Sequence, residues 1–185
     1  MIQKKPLVND LYTADPSAHA FNGKIYIYPS HDEDEDVENN DNGDQYNMKD
    51  YHVYEMQDEN TLPKDCGCVL KLEDIKWASK QLWAPDCAEK DGKYYFVFPA
   101  RDKEGMFRIG MAIGDKPQGP FKPEDNYIQG TYSIDPASSR TQTTNTTSPS
   151  AESGAASLTN TATTNGAKTT RNPKEANLPA PQKLP

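Results

Sequence analysis

Within the first 137 residues of this chain, short segments alternate apolar and polar positions at a period of two, the pattern of half-buried strands and not of helices. The clearest pair spans residues 17–21 and 24–28. Between them lies Asn22-Gly23, a dipeptide suited to the tight turn of a β-hairpin. The alternation in Tyr51-His52-Val53-Tyr54-Glu55-Met56 and the short run Gly67-Cys68-Val69-Leu70-Lys71-Leu72 predict two more strands. Residues 86–89, 93–98 and 106–113 predict three others, the first two joined by an Asp91-Gly92 turn. Residues 114–121 are turn chemistry, with Gly114, Pro117, Gly119 and Pro120 ahead of an aromatic anchor at Phe121. Residues 1–12, with Pro6 and Asn9-Asp10, read as a lead-in that closes over the first strands.

These elements repeat. Moving the segment from Thr13 to Tyr28 by 69 positions lays Pro16, Gly23, Lys24 and Tyr26 on Pro85, Gly92, Lys93 and Tyr95 without a gap. Moving it by 120 lays Asp15-Pro16 on Asp135-Pro136. Each copy places a residue in a pocket, then an inner strand, a turn, and a second strand rich in Tyr, Ile, Phe and Val. Spacings of 69 and 51 suit one four-stranded blade per repeat. The expected fold class is therefore all-β, a β-propeller, with two blades and the start of a third in residues 1–137. Repeat folds need about three units for stability, so poor independent folding or aggregation is expected.

Composition changes the picture at one end. The chain is polar, with 34% hydrophobic and 26% charged residues and a mean hydropathy of -0.93. Its net charge of -8 is uneven: residues 138–185 hold five basic and two acidic side chains, which leaves 15 basic against 26 acidic, a net -11, in the first 137. Such an acidic body argues against nucleic acid or an anionic membrane as partner, and a neutral sugar would not be repelled. No apolar run suits a membrane span or a signal peptide, so a cytoplasmic location is expected. Cys66, Cys68 and Cys87 form no CxxC pair and read as reduced thiols. The acidic run from His31 to Asp44 is too charged to bury and reads as a solvated loop. A calcium loop counted from Asp32 would need Gly and Glu where Val37 and Gly43 stand.

From Ser138 to Pro185 there is no aromatic residue, and Thr, Ser, Asn, Ala and Pro dominate. A stretch of this composition cannot bury enough apolar surface to offset its chain entropy, and disorder is expected. Codons overlapping residues 138–148 one base earlier can, with permitted synonymous choices, restore the repeat: an Asp-containing turn, Lys-Tyr-Tyr and a strand. The expectation is that one base has been lost near the codons for Ala137 and Ser138, and that the tail is out-of-frame translation.

Asp15 and Asp135 occupy the same place in their repeats, each ahead of Pro at the start of an innermost strand. In a propeller such positions converge on the axis. Two convergent carboxylates are the raw material of glycosidic hydrolysis; the other reading is that Asp-Pro caps a turn at a blade entrance. Trp83 can stack on a sugar ring or fill the core.

Tyr12-Thr13-Ala14-Asp15-Pro16-Ser17, Phe21-Asn22-Gly23-Lys24-Ile25-Tyr26-Ile27-Tyr28-Pro29-Ser30-His31-Asp32, Trp83-Ala84-Pro85-Asp86 and Tyr132-Ser133-Ile134-Asp135-Pro136 resemble the amino-terminal part of glycoside hydrolase family 43. The resemblance covers residues 6–137. It implies a five-bladed propeller acting on arabinose- and xylose-containing glycans by an inverting mechanism. By it, Asp15 is the general base and Asp135 the second carboxylate, which raises the pKa of the general acid and holds it in position. The acid would be a Glu of a later blade; Glu152 and Glu175 match no motif. Asp86 aligns with Ser17 and takes no base role; His19 aligns with Ala88, His31 and His52 have no metal-like spacing with any partner, and all three read as structural or solvent-facing. No cofactor or metal ligand is expected, since the axial cation sometimes present in the family is held largely by later blades. The expected partner is a pentose-containing oligosaccharide or polysaccharide. Three readings follow: a catalytically incomplete glycosidase, a glycan-binding fragment that does not cleave, and an inactive pseudogene product. Sequencing the gene across codon 138 should find one additional base, or an intact overlapping frame continuing through a Glu-containing repeat; absence of both would make the Ser/Thr tail native.

Overall fold

A computed structural model describes residues 6–33 and 36–138, and these form two antiparallel sheets. In the first, β1 (Thr13–Phe21), β2 (Lys24–His31), β3 (Asp50–Met56) and β4 (Lys64–Lys71) lie in chain order. In the second, β6 (Asp86–Lys90), β7 (Lys93–Asp102), β8 (Phe107–Gly114) and β9 (Lys122–Pro123) follow the same plan, and β5 (Ala78–Lys80) pairs with the far end of β7 on the edge that β6 also uses. These are two blades of a propeller, with the innermost strands β1 and β6 side by side.

The repeated turns have the same backbone. Asn22 and Gly23 sit at φ 52° and 75°, Asp91 and Gly92 at 53° and 74°. Two consecutive residues at positive φ are what a hairpin turn matched to strand twist requires, which is why Asn or Asp precedes Gly in both copies. Side-chain alternation then divides each blade into two faces. Tyr26 and Tyr28 of β2 and Tyr51 and Val53 of β3 are buried toward the second sheet, which answers with Cys87, Phe96 and Phe98. Phe96 is the hub: its ring lies 5.0 Å from Tyr51, 6.0 Å from Tyr28 and 4.8 Å from Phe121. The expected anchor Phe121 is buried, and its N–H donates to the Val69 carbonyl at 3.0 Å, stitching the β8–β9 connection to β4.

The lead-in behaves as expected over its described part. Residues 6–12 run against Ile27 and Pro29 and enclose a groove of about 660 Å³. The Tyr54 hydroxyl donates to Asp10 at 3.3 Å and the Asp32 N–H to the Tyr12 carbonyl at 2.9 Å. After His31, which ends β2, the acidic run carries no strand or helix in its described residues, and 36–42 are exposed. At its end the run is stapled to the second sheet: Gln81 donates to the Gly43 carbonyl at 2.6 Å, Arg101 to the Asn42 carbonyl at 2.9 Å, and Lys80 pairs with Asp44. All three cysteines are free thiols, as expected, and burial pushes the Cys87 thiol up to about 12. No helix among the described residues is long and apolar enough to cross a membrane. Of the tail expected to be disordered, all but Ser138 lies outside the described residues.

Some strands differ from the sequence expectation. The short strands β5 and β9 are not predicted, because three and two residues carry no periodicity and one of the five is Pro123. β1 starts at Thr13 instead of residue 17, reached through a bulge, β4 starts at Lys64 instead of residue 67, and β7 runs on to Asp102 past residue 98. The tightest point of the core is Gly110, where a Cβ would stand 2.5 Å from Trp77 and 2.6 Å from Phe98. Gly110→Ala should therefore cost about 1–3 kcal/mol by overpacking, read as a lower midpoint in thermal or denaturant unfolding.

Candidate functional site

The bulge in β1 places the first carboxylate. Pairing with β2 runs Thr13↔His31 and Ala14↔Ser30 and then jumps to Ser17↔Tyr28, so Asp15 and Pro16 together oppose Pro29. Pro16 has no N–H to give the ladder, and a bulge is where a strand tolerates that. Asp15 takes φ 45°, a conformation rare for a residue with a side chain, and its side chain is exposed instead of lying in the sheet. The Ser30 hydroxyl braces the bend by donating to the Ala14 carbonyl at 3.1 Å.

Asp135 repeats the strain, with φ 54° ahead of Pro136. It belongs to no strand, and its position is set by the segment before it. Arg108 lies over the rings of Tyr127 and Tyr132 at 4.8 and 4.3 Å, donates to Asp102 at 2.9 Å and to the Thr131 carbonyl at 3.3 Å. The Thr131 hydroxyl donates to the Ile128 carbonyl and accepts the Ile109 N–H. After Asp135, the Ser138 N–H and hydroxyl both donate to Asp86, at 2.6 and 2.7 Å.

The two aspartates meet electrostatically. Partial burial and then the negative charge of Asp15 raise the Asp135 pKa. A third carboxylate joins them. Asp32, the first residue after β2, has its pKa raised by burial first and by the Asp15 charge second, against the opposing effect of His31. Its Oδ1 is buried without a hydrogen-bond partner. Sequence reasoning assigned Asp32 to the solvated loop; the available signal was its place at the end of the Pro29-Ser30-His31-Asp32 motif, directly after a strand. A strained, exposed carboxylate beside two that hold protons more tightly can divide the work of accepting and retaining a proton.

The remaining candidates take structural partners. Trp83 is half-buried: its N–H donates to the Tyr46 carbonyl at 2.8 Å and its ring meets Phe107 at 4.5 Å and Tyr46 at 6.5 Å, beside Gly43. Asp86 is buried and bonded to His19 at 2.5 Å, which joins the two inner strands; burial opposes ionisation, but the bonds from His19 and Ser138 prevail and lower its pKa. His31 bonds Asp50 at 2.6 Å and His52 bonds Asp65 at 2.9 Å. The chain spacing of His31 and His52 suggests no metal, yet His31, Asp50 and His52 present donor atoms all within 4.8 Å of one another. Asp15→Asn removes the charge that acts on Asp135, so Asp135 should titrate at lower pH in the variant, measured by carboxyl-carbon NMR. The linked sign is unusual for an acid. A carboxyl with a raised folded-state pKa destabilises the fold when ionised, so Asp135→Asn should be the more stable protein at neutral pH, and the difference should vanish as pH falls through the folded-state pKa.

Comparison with known proteins places this arrangement. The profile of glycosyl hydrolases family 43 matches residues 4–164. A xylosidase/arabinosidase 43A of Humicola insolens is 65% identical over 134 residues, 71% of this chain and 41% of that protein. A xylosidase/arabinosidase of Bacteroides ovatus is 57% identical over 136 residues, 73% of this chain and 42% of that one. Among solved structures, a family 43 β-xylosidase/α-arabinofuranosidase from a compost microbial metagenome, complexed with xylotriose in a calcium-free form, superposes with a TM-score of 0.70 at 59% identity, covering 71% of this chain and 40% of that one. The chain thus spans about two fifths of the length of these relatives. With the two repeat blades and the paired Asp-Pro positions in the order its motifs demand, this chain belongs to glycosyl hydrolase family 43.

Proposed function

We propose that this chain carries the base side of an inverting glycosidase that acts on xylose- or arabinose-containing glycans. The observation that carries the reading is the coupling of Asp15 to Asp135, two carboxylates held at the same unusual backbone angle, each ahead of a proline, in a family 43 chain. Names of the relatives support the sugar class, since they are xylosidases and arabinosidases and one was solved with xylotriose.

In this reading Asp15 accepts a proton from the water that attacks the anomeric carbon. The bond from that carbon to the leaving oxygen breaks, and a carboxylic acid on the other side supplies the proton the oxygen needs. Asp135, with Asp32 next to Asp15, keeps the site negative and so favours the protonated form of that acid. Trp83 offers an aromatic face to a sugar ring at the rim. The acid itself is a Glu of a later repeat. The charges acting on Asp32 and Asp135 are those of Asp15 and His31, and no glutamate among the described residues is one of them.

The 185-residue chain should therefore release no nitrophenol above buffer from 4-nitrophenyl β-xyloside or α-arabinofuranoside. Turnover by it would overturn the assignment of the acid to a later repeat. Xylotriose should quench tryptophan fluorescence, with Trp83→Ala abolishing the change; no response would favour an inactive product. In a chain continued through the later repeats, Asp15→Asn should lower kcat by about 10²–10⁴.

A further inference from the structure

The histidines of the first blade hold an arrangement that neither the strand architecture nor the carboxylates at Asp15 require. Asp50 and His52 are two apart on β3 and so share a face. The β2–β3 register of Ile27↔Tyr54, continued along the antiparallel pair, sets His31 opposite Asp50. On the same face, Cys68 of β4 stands opposite His52. Thus three strands bring two imidazoles, one carboxylate and one thiol to a single patch.

The rings are already oriented. His52 Nδ1 bonds Asp65 Oδ2 at 2.9 Å, and Asp65 Oδ1 is fixed in turn by the Gly67 N–H at 2.7 Å. With Nδ1 so engaged, Nε2 is the His52 nitrogen left to bind a cation, the arrangement in which a carboxylate sets the tautomer of a metal-binding histidine. The His31 and His52 rings meet edge to face at 5.3 Å between centroids. Lys71, opposite Asp50 across β3 and β4, directs its amine to Glu73 at 3.7 Å. Side-chain exposures of 17%, 24% and 16% for His31, Asp50 and His52 leave the patch sheltered but reachable.

We propose that His31, Asp50 and His52 bind a divalent transition-metal cation of the Zn²⁺ class, with Asp65 positioning His52. Two imidazoles and a carboxylate are a donor set for such ions and not for Ca²⁺ or Mg²⁺, which take oxygen ligands. Tetrahedral Zn²⁺ with bonds of about 2.0–2.1 Å sets its ligand atoms about 3.3 Å apart, against donors here within 4.8 Å of one another, so small side-chain rotations close the site. A fourth position remains for water or for Cys68. The metal clips β2 to β3 at the end where β2 hands on to Asp32. The proposal stands independently of the glycosidase reading.

The test uses the tag-free 185-residue chain. Zn²⁺ is titrated by calorimetry, and Co²⁺ by its visible absorption. One ion should bind per chain, and saturating Zn²⁺ should raise the thermal midpoint. His52→Gln and Asp50→Asn should each remove the binding and the thermal shift with near-ultraviolet circular dichroism unchanged, and Asp65→Asn should weaken affinity by about 10- to 100-fold. Absence of binding to the wild-type chain would overturn the proposal. So would binding that survives both His52→Gln and Asp50→Asn but disappears in a Cys66→Ser, Cys68→Ser double variant, because the ion would then belong to the thiols.

Discussion

The contact on which the structure depends is the aromatic seam between the two sheets, centred on Phe96. Each blade is a four-stranded sheet with one face that must leave water, and neither sheet could stand alone on its own hydrogen bonds. Tyr28 and Tyr51 from one side meet Phe96 and Phe98 from the other, all nearly inaccessible to solvent. Both tyrosines keep their hydroxyls satisfied inside the seam: Tyr28 donates to the Pro117 carbonyl at 2.8 Å and Tyr51 to the Trp83 carbonyl at 2.5 Å. The seam is thus apolar in bulk but registered by two directional bonds, which fixes how one blade sits against the next.

That registration is what gives the aspartates their meaning. Asp15 stands on the inner strand of one blade and Asp135 follows the outer strand of the other, 120 residues later in the chain. They influence each other only because β1 and β6 lie side by side and because Arg108 and Thr131 pin the approach to Asp135. The strained angles at both residues are tolerated for the same reason. A packed surround over-determines the local backbone, so a conformation costing about 1–3 kcal/mol persists where a carboxylate has to leave the sheet.

Electrostatics follow the fold in the same way. Several acidic side chains of the acidic body sit in local pairs, as with Lys24 and Glu55 or Lys93 and Asp115, and the pairs open to solvent contribute little to stability. Asp32 and Asp135 are different because burial, and after it the neighbouring Asp15 carboxylate, raises their pKa. Asp86, the most buried of the three, nevertheless ends with a lowered pKa, since His19 and Ser138 donate hydrogen bonds to it. Three aspartates within one repeat architecture therefore hold protons differently, according to whether hydrogen-bond donors offset burial and a neighbouring charge.

The amino-acid sequence alone determined the strands, the two Asn/Asp-Gly turns, the propeller repeat, the loop character of the acidic run and the matching Asp-Pro positions. Each of these is written in local periodicity or in backbone preferences of single residues, and those survive without knowledge of neighbours. The tertiary structure alone decided that Asp32 joins Asp15, that Trp83 packs on Phe107 and Tyr46, and that His31, Asp50 and His52 come together. It also decided β5 and β9, too short to show a period. These features depend on cross-strand register and on how one sheet settles against another, and such distances are set by the packing of residues far apart in the chain.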